Sequence, residues 1–142
     1  MIVNNQYINE EYVSEEGRVI QNARLLLEKQ FGITGFGEIY LHGKRAIIKE
    51  TTVVVKLCEE DKSRRNSYWL RNKKVGIMPG DIDPEKQIVI ANLDMDVPIC
   101  MDFRTREINP PIIWLSNKGW EQICYSHEVF IKTLNEFRTT EN

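Results

Sequence analysis

Two pairs of aspartates, Asp81-x-Asp83 and Asp94-x-Asp96, are the residues of this chain whose type and spacing could do chemistry. Carboxylates one residue apart can share a divalent cation or act as acid and base. Both pairs fall in segments that read as turns, one on each side of an apolar run at 87–91. Aspartate is common in turns because its side chain caps local backbone groups, so the plainer reading is turn capping. A third reading joins them to Glu59, Glu60 and Asp61 as an anionic face for a basic protein partner.

The remaining chemical vocabulary is small. The two histidines, His42 and His127, read as surface or rim residues. Ser126 and His127 do not make a nucleophile–base pair, because adjacent helical side chains diverge. Cys124 and His127 could supply half of a zinc site, yet Cys58 and Cys100 stand alone in apolar sequence. Three widely spaced cysteines read instead as buried free thiols in a reducing compartment. Thr34-Gly-Phe-Gly lacks the length and the Lys-Ser/Thr of a phosphate loop. Asp102, ending a strand before Phe103-Arg104, reads as a structural clamp pairing with Arg104 or Arg106. Trp69, Trp114 and Trp120 read as core or rim anchors. No catalytic residue, metal site or cofactor is expected.

The elements that must position these residues follow from patterning. At 142 residues and 42% hydrophobic, the chain is the size of one domain with its own core. Residues 1–13 and 138–142 are expected to be loosely ordered, with Tyr7, Ile8, Tyr12 and Val13 as docking side chains. Three-to-four spacing predicts a helix from a Ser14 cap to Phe31, stopped by Gly32. Glu38–Leu41 and Arg45–Lys49 read as strands joined by a tight His42-Gly-Lys connection. For 51–70 the three valines favour a strand, while Val54, Cys58, Asp61 and Arg65 fall on helical spacing; helix is preferred, with Thr51 as cap. Strands follow at Lys74–Pro79, Gln87–Ala91, Pro98–Phe103, Pro111–Leu115 and Glu121–Tyr125. Ser126 then caps a helix with a Phe130, Ile131, Leu134, Phe137 stripe. This is a single α+β domain, an antiparallel or mixed sheet flanked by N-terminal, middle and C-terminal helices.

Net charge is −2 and the isoelectric point near 5.8, which gives no basic footprint for nucleic acid. The N-terminus lacks the form of a secretion signal, and no apolar run approaches the roughly 20 residues of a membrane span. A cytoplasmic protein without a membrane partner is expected.

With these residues placed, a family resemblance appears. Asp94-x-Asp96-x-Pro98-Ile99-Cys100-Met101-Asp102-Phe103-Arg104 resembles the strand motif D-x-D-x-P-I-C-L-D-Y/F-R of the SUKH superfamily. That superfamily includes fungal Smi/Knr-type cell-wall regulators and many bacterial immunity proteins. Pro110-Pro111-x-Ile113 is similar to its next strand, and Trp120-x-x-Ile123-Cys124-x-Ser126-His127-x-x-Phe130-Ile131-x-x-Leu134 to its usual ending. The likeness covers roughly residues 74–137. His127 stands where members usually carry Phe, and the first half lacks their L-P-x-x-Y and N-G-G element. The resemblance implies a non-enzymatic α+β module, an immunity protein that binds and neutralises a cognate toxin, often a basic nuclease. On this reading Asp81, Asp83, Asp94 and Asp96 are the contact candidates, chosen for exposure and charge. A regulatory scaffold binding a housekeeping protein is the alternative, and a metal-dependent hydrolase using the paired aspartates the remote one.

Overall fold

The computed structural model describes residues 2–64, 68–71 and 80–141. Its described residues form six strands in one fully antiparallel sheet and three α-helices. In chain order these are β1 (Arg18–Ile20), α1 (Arg24–Phe31), β2 (Ile39–Leu41), α2 (Lys44–Ser63), β3 (Gln87–Leu93), β4 (Val97–Asp102), β5 (Ile112–Ser116), β6 (Gly119–Cys124) and α3 (His127–Glu141). Strand order across the sheet equals chain order. This is the α+β domain that the patterning predicts, and among the described residues every strand pair is antiparallel.

Helices cover both faces of the sheet, which is why its central strands read as continuous apolar runs. Every residue of β3 is buried. On one face Val54 and Cys58 of α2 pack with Val89, Cys100, Ile113 and Trp120. On the other, Leu26 and Leu27 of α1 and Phe130 and Leu134 of α3 pack on Ile88, Ile99, Met101 and Ile112. The N-terminal segment joins this second layer: Tyr7 stacks on Phe103 with ring centroids 4.3 Å apart, and Val13 is buried. The stripe expected on the last helix holds, with Phe130 and Leu134 at 0% exposure. Its Ser126 cap holds too, Ser126 Oγ accepting the Val129 N–H at 3.2 Å.

The first half departs from expectation in three places. The helix expected from Ser14 begins only at Arg24, and Arg18–Ile20 is instead a strand paired to β2. Asn22, in the left-handed region at φ 55°, breaks any continuous helix, and β-branched Val19 and Ile20 suit the edge strand. The stop at Gly32 is as expected: φ is 67° and the Ile33 N–H reaches Leu27 O at 2.9 Å. Second, the strand expected at 45–49 is the start of α2, which runs from 44 to 63 rather than from 51 to 70. Ile47, Thr51, Val54, Cys58 and Asp61 form its buried stripe, so packing on the sheet outweighs the β propensity of Val53–Val55. Third, Thr51 is not a cap: its buried hydroxyl accepts the Val89 N–H of β3 at 2.9 Å. The strand expected at 74–79 lies outside the described residues.

Two glycines set the entry to α2. Gly17 and Gly43 bring their backbones into contact, so that a Cβ on Gly43 would lie 2.4 Å from Glu15 O and 2.7 Å from Gly17 N. A Cβ on Gly17 would lie 2.6 Å from Leu41 O. The Lys44 N–H donates to Ser14 O at 2.8 Å across the same crossing. The segment before β1 is thereby fixed against the start of α2.

Candidate functional site

The four candidate aspartates are not brought together. Asp81 and Asp83 precede β3 and Asp94 and Asp96 follow it, so about 20 Å of strand separates the pairs. The exposure expected of them holds for Asp96, while Asp81 is buried at 3%. Asp81 is drawn in because it lies between the Gly80–Trp120 bridge and fully buried Ile82. Asp83 Oδ1 accepts the Glu85 N–H at 3.0 Å, a local turn bond. Asp94 sits at φ 52°, and its Oδ1 accepts the N–H groups of Gly37 (3.1 Å) and Glu38 (3.0 Å). Its carboxylate ties the β3–β4 turn to the chain entering β2.

Asp61, expected on an anionic face, is buried at the end of α2. Its Oδ2 accepts the N–H groups of Trp69 (2.6 Å) and Leu70 (3.1 Å), so it holds the following turn. The Trp69 carbonyl in turn accepts Trp120 Nε1–H, which anchors that indole in the core. Asp102 is the clamp that the strand pattern predicts. It is buried, and its Oδ1 accepts Arg104 Nε–H at 2.9 Å while its Oδ2 accepts Nη2–H at 3.0 Å. Arg106 instead reaches the carbonyls of Asn109 and Tyr125. Cys58, Cys100 and Cys124 are buried free thiols as expected. Burial pushes Cys58 up to about 12, Cys124 up to about 11 and Cys100 well above its ordinary value.

The structure does bring together both histidines, far apart in sequence. His42, between β2 and α2, and His127, opening α3, line one groove of about 1300 Å³. Apolar side chains from the N-terminal segment and four elements lie along it: Val13, then Leu41, Ile47, Ile90 and Ile131. Ile90 occupies a register shift in β3 between Val89 and Ala91, and its carbonyl accepts the His42 N–H at 2.8 Å. The N-terminal segment contributes Glu10, Glu11 and Glu16, and α3 contributes Glu128 and Glu136. Five carboxylates thus face two cationic side chains in the lining, Arg18 and Lys132. Glu10 is paired to Lys44 at 3.0 Å, and Arg18 donates to Asn135 Oδ1 at 2.6 Å.

Each imidazole is half-buried. Burial lowers the pKa of His42, a shift opposed by a hydrogen bond with Asn92 and by the charge of Glu50. Burial alone lowers that of His127, whose ring lies 5.3 Å from Tyr12. Both are therefore neutral at pH 7. Ser126, next to His127 in sequence, is buried and already accepts a helix N–H. The arrangement is an apolar floor beneath an acidic rim, which suits recognition of a cationic group.

Sequence reasoning assigned none of this groove to the site. Glu15 and Glu16 read as the first turn of a helix that does not form there. The available signal was the density of acid in Glu10-Glu11 and Glu15-Glu16, flanking Tyr12 and Val13. Comparison with protein-family models, with curated proteins and with solved structures finds no match.

Proposed function

We propose that this chain is a non-enzymatic protein-binding module, an immunity protein of the SUKH kind that neutralises a basic toxin domain by direct, stoichiometric binding. The observation that carries the reading is the acid-rimmed groove. It is large enough for a segment of another protein, and its lining has more carboxylates than cations. Such a surface attracts a basic partner and raises its encounter rate. The residues that resemble the superfamily motif serve chiefly to build the scaffold, as the Asp102–Arg104 clamp and the Phe130–Leu134 stripe do.

The test is co-expression with a toxin encoded beside the gene. The reading expects restored growth and a one-to-one complex on size exclusion. Absence of both protection and a complex would overturn it, and capture of a non-toxin regulatory partner would move it to the scaffold alternative.

A further inference from the structure

The two edges of the sheet differ. At one, Gly80 bridges Trp120 of β6. At the other, β1 pairs only with β2 among the described residues. The hydrogen bonds of β2 settle which groups β1 turns outward. The His42 N–H reaches Ile90 O at 2.8 Å and the Asp94 N–H reaches Glu38 O at 2.9 Å, so residues 38, 40 and 42 are the ones that bond toward β3. By alternation Ile39 and Leu41 bond β1, through their register partners Ile20 and Arg18. Val19, between these two, therefore directs both its N–H and its C=O away from the sheet. Val19 is 47% exposed. Its side chain lies on the face opposite buried Ile20, beside Tyr40, in a hollow of about 430 Å³ that Ala46 and Met95 also line. Helix α2 leaves this corner uncovered, and the apolar cluster beneath it takes no residue from β1 or β2.

Protected edges carry a lysine, a proline or a bulge, whereas β1 centres on an exposed β-branched residue. We propose that β1 pairs with β1 of a second copy of this chain, antiparallel about a twofold axis at Val19. The occupant follows from register. An axis there makes the two Val19 residues partners, and such a pair exchanges both of its N–H···O=C bonds. The outward groups of Val19 are thereby satisfied by the same groups of the copy. The flanking residues accept this register. Gly17 stands opposite Gln21, Glu16 opposite Asn22 and Arg18 opposite Ile20, so no like charges meet. Moving the axis one residue back would set Arg18 against Arg18. The two valines meet on the α2 side, where each extends the apolar lining of the other copy's hollow. Six strands then join six in one continuous antiparallel sheet. The pairing is independent of the toxin-binding reading, and a partner complex would hold two copies of each chain.

The experiment is sedimentation equilibrium of the full chain from about 1 µM to about 1 mM. The expected result is a weight-average mass that climbs from 16.7 kDa toward twice that value. Val19→Lys, at an exposed position, should weaken association at least about tenfold and leave the thermal midpoint nearly unchanged. Ile108→Lys, exposed and outside β1, should associate like wild type. An isotope-filtered NOE on a mixture of labelled and unlabelled wild type reads the register. It should link the Arg18 Hα to the Ile20 Hα of the other copy, a contact that two residues of one extended strand cannot make with each other. If Val19→Lys fails to fold, this NOE decides alone. A mass of 16.7 kDa up to about 1 mM would overturn the proposal. So would a dimer that folded Val19→Lys leaves intact, equal weakening by Ile108→Lys, or a dimer without the Arg18–Ile20 contact.

Discussion

Replacing Gly43 by alanine tests the crossing that builds the groove. The φ of Gly43 is −79°, which any residue adopts, so the backbone itself does not demand glycine. The demand is contact: a Cβ there would lie 2.4 Å from Glu15 O and 2.7 Å from both Glu16 C and Gly17 N. An ordinary carbon–oxygen contact is about 3.3 Å, so the two chains must part by roughly 0.9 Å. All three neighbours are backbone atoms, and no side chain can turn away to make room. Overpacking of this kind costs about 1–3 kcal/mol, against which the stiffer unfolded chain returns about 0.4–1 kcal/mol. Urea unfolding followed by tryptophan fluorescence should therefore show a net loss of about 1–2 kcal/mol. The Gly17→Ala/Gly43→Ala double variant should lose less than the sum, since the first substitution already opens the gap. A Gly43→Ala protein as stable as its parent, with unchanged amide shifts at Glu15 and Gly17, would refute the close crossing.

Asp94→Ala removes the acceptor for two backbone N–H groups and places alanine at φ 52°. It should cost about 1–3 kcal/mol in urea unfolding, and Asp94→Asn less; no loss on Asp94→Ala would mean that the aspartate does not hold the turn. The three buried thiols should react with a disulfide reagent at pH 8 only as fast as the protein opens, and all at once in denaturant. Rapid reaction of Cys58 in the native protein would contradict a pKa pushed up to about 12. Both histidines have folded pKa values lowered by burial, so the unfolded chain binds protons more readily below its ordinary value of 6.5. Their contribution is intact above that pH and is lost as pH falls from 6.5 toward the lowered folded values. Stability measured between pH 7.5 and 5.5 should drop less for His42→Gln/His127→Gln than for wild type, and equal drops would contradict the assignment.

The half of the fold from Gln87 onward was legible because its signals are local. Apolar runs at 88–91, 99–101 and 112–115 alternate with turn residues such as Asp94 and Asn109, both of which adopt positive φ. Ser126, Phe130 and Leu134 follow one another at intervals of four residues, about one helical turn each. The first half was not, because its element boundaries depend on contacts between distant residues. Arg18–Ile20 becomes a strand through pairing with Ile39–Leu41, and Lys44 begins a helix where Gly43 meets Gly17. Residues 15–30 carry a helical pattern whose first part the tertiary contacts override. Of the site, the acidity was legible but its location was not. Asp81 stands beside glycine and near proline, the composition of an exposed turn, yet it is buried next to the Gly80–Trp120 bridge. The groove draws its walls from the N-terminal segment, β3, the start of α2 and α3, and no local window of sequence spans those.

The association rate of the basic toxin domain proposed as the partner, measured by stopped flow across ionic strength, tests the central claim most directly. If the acidic groove is the contact surface, the wild-type rate falls steeply with salt, and Glu11→Lys/Glu16→Lys lowers it at least about tenfold at low salt and flattens that dependence. The thermal midpoint should hardly move, since both glutamates are exposed. An unchanged rate and salt dependence in that variant would show that the partner binds elsewhere on the molecule.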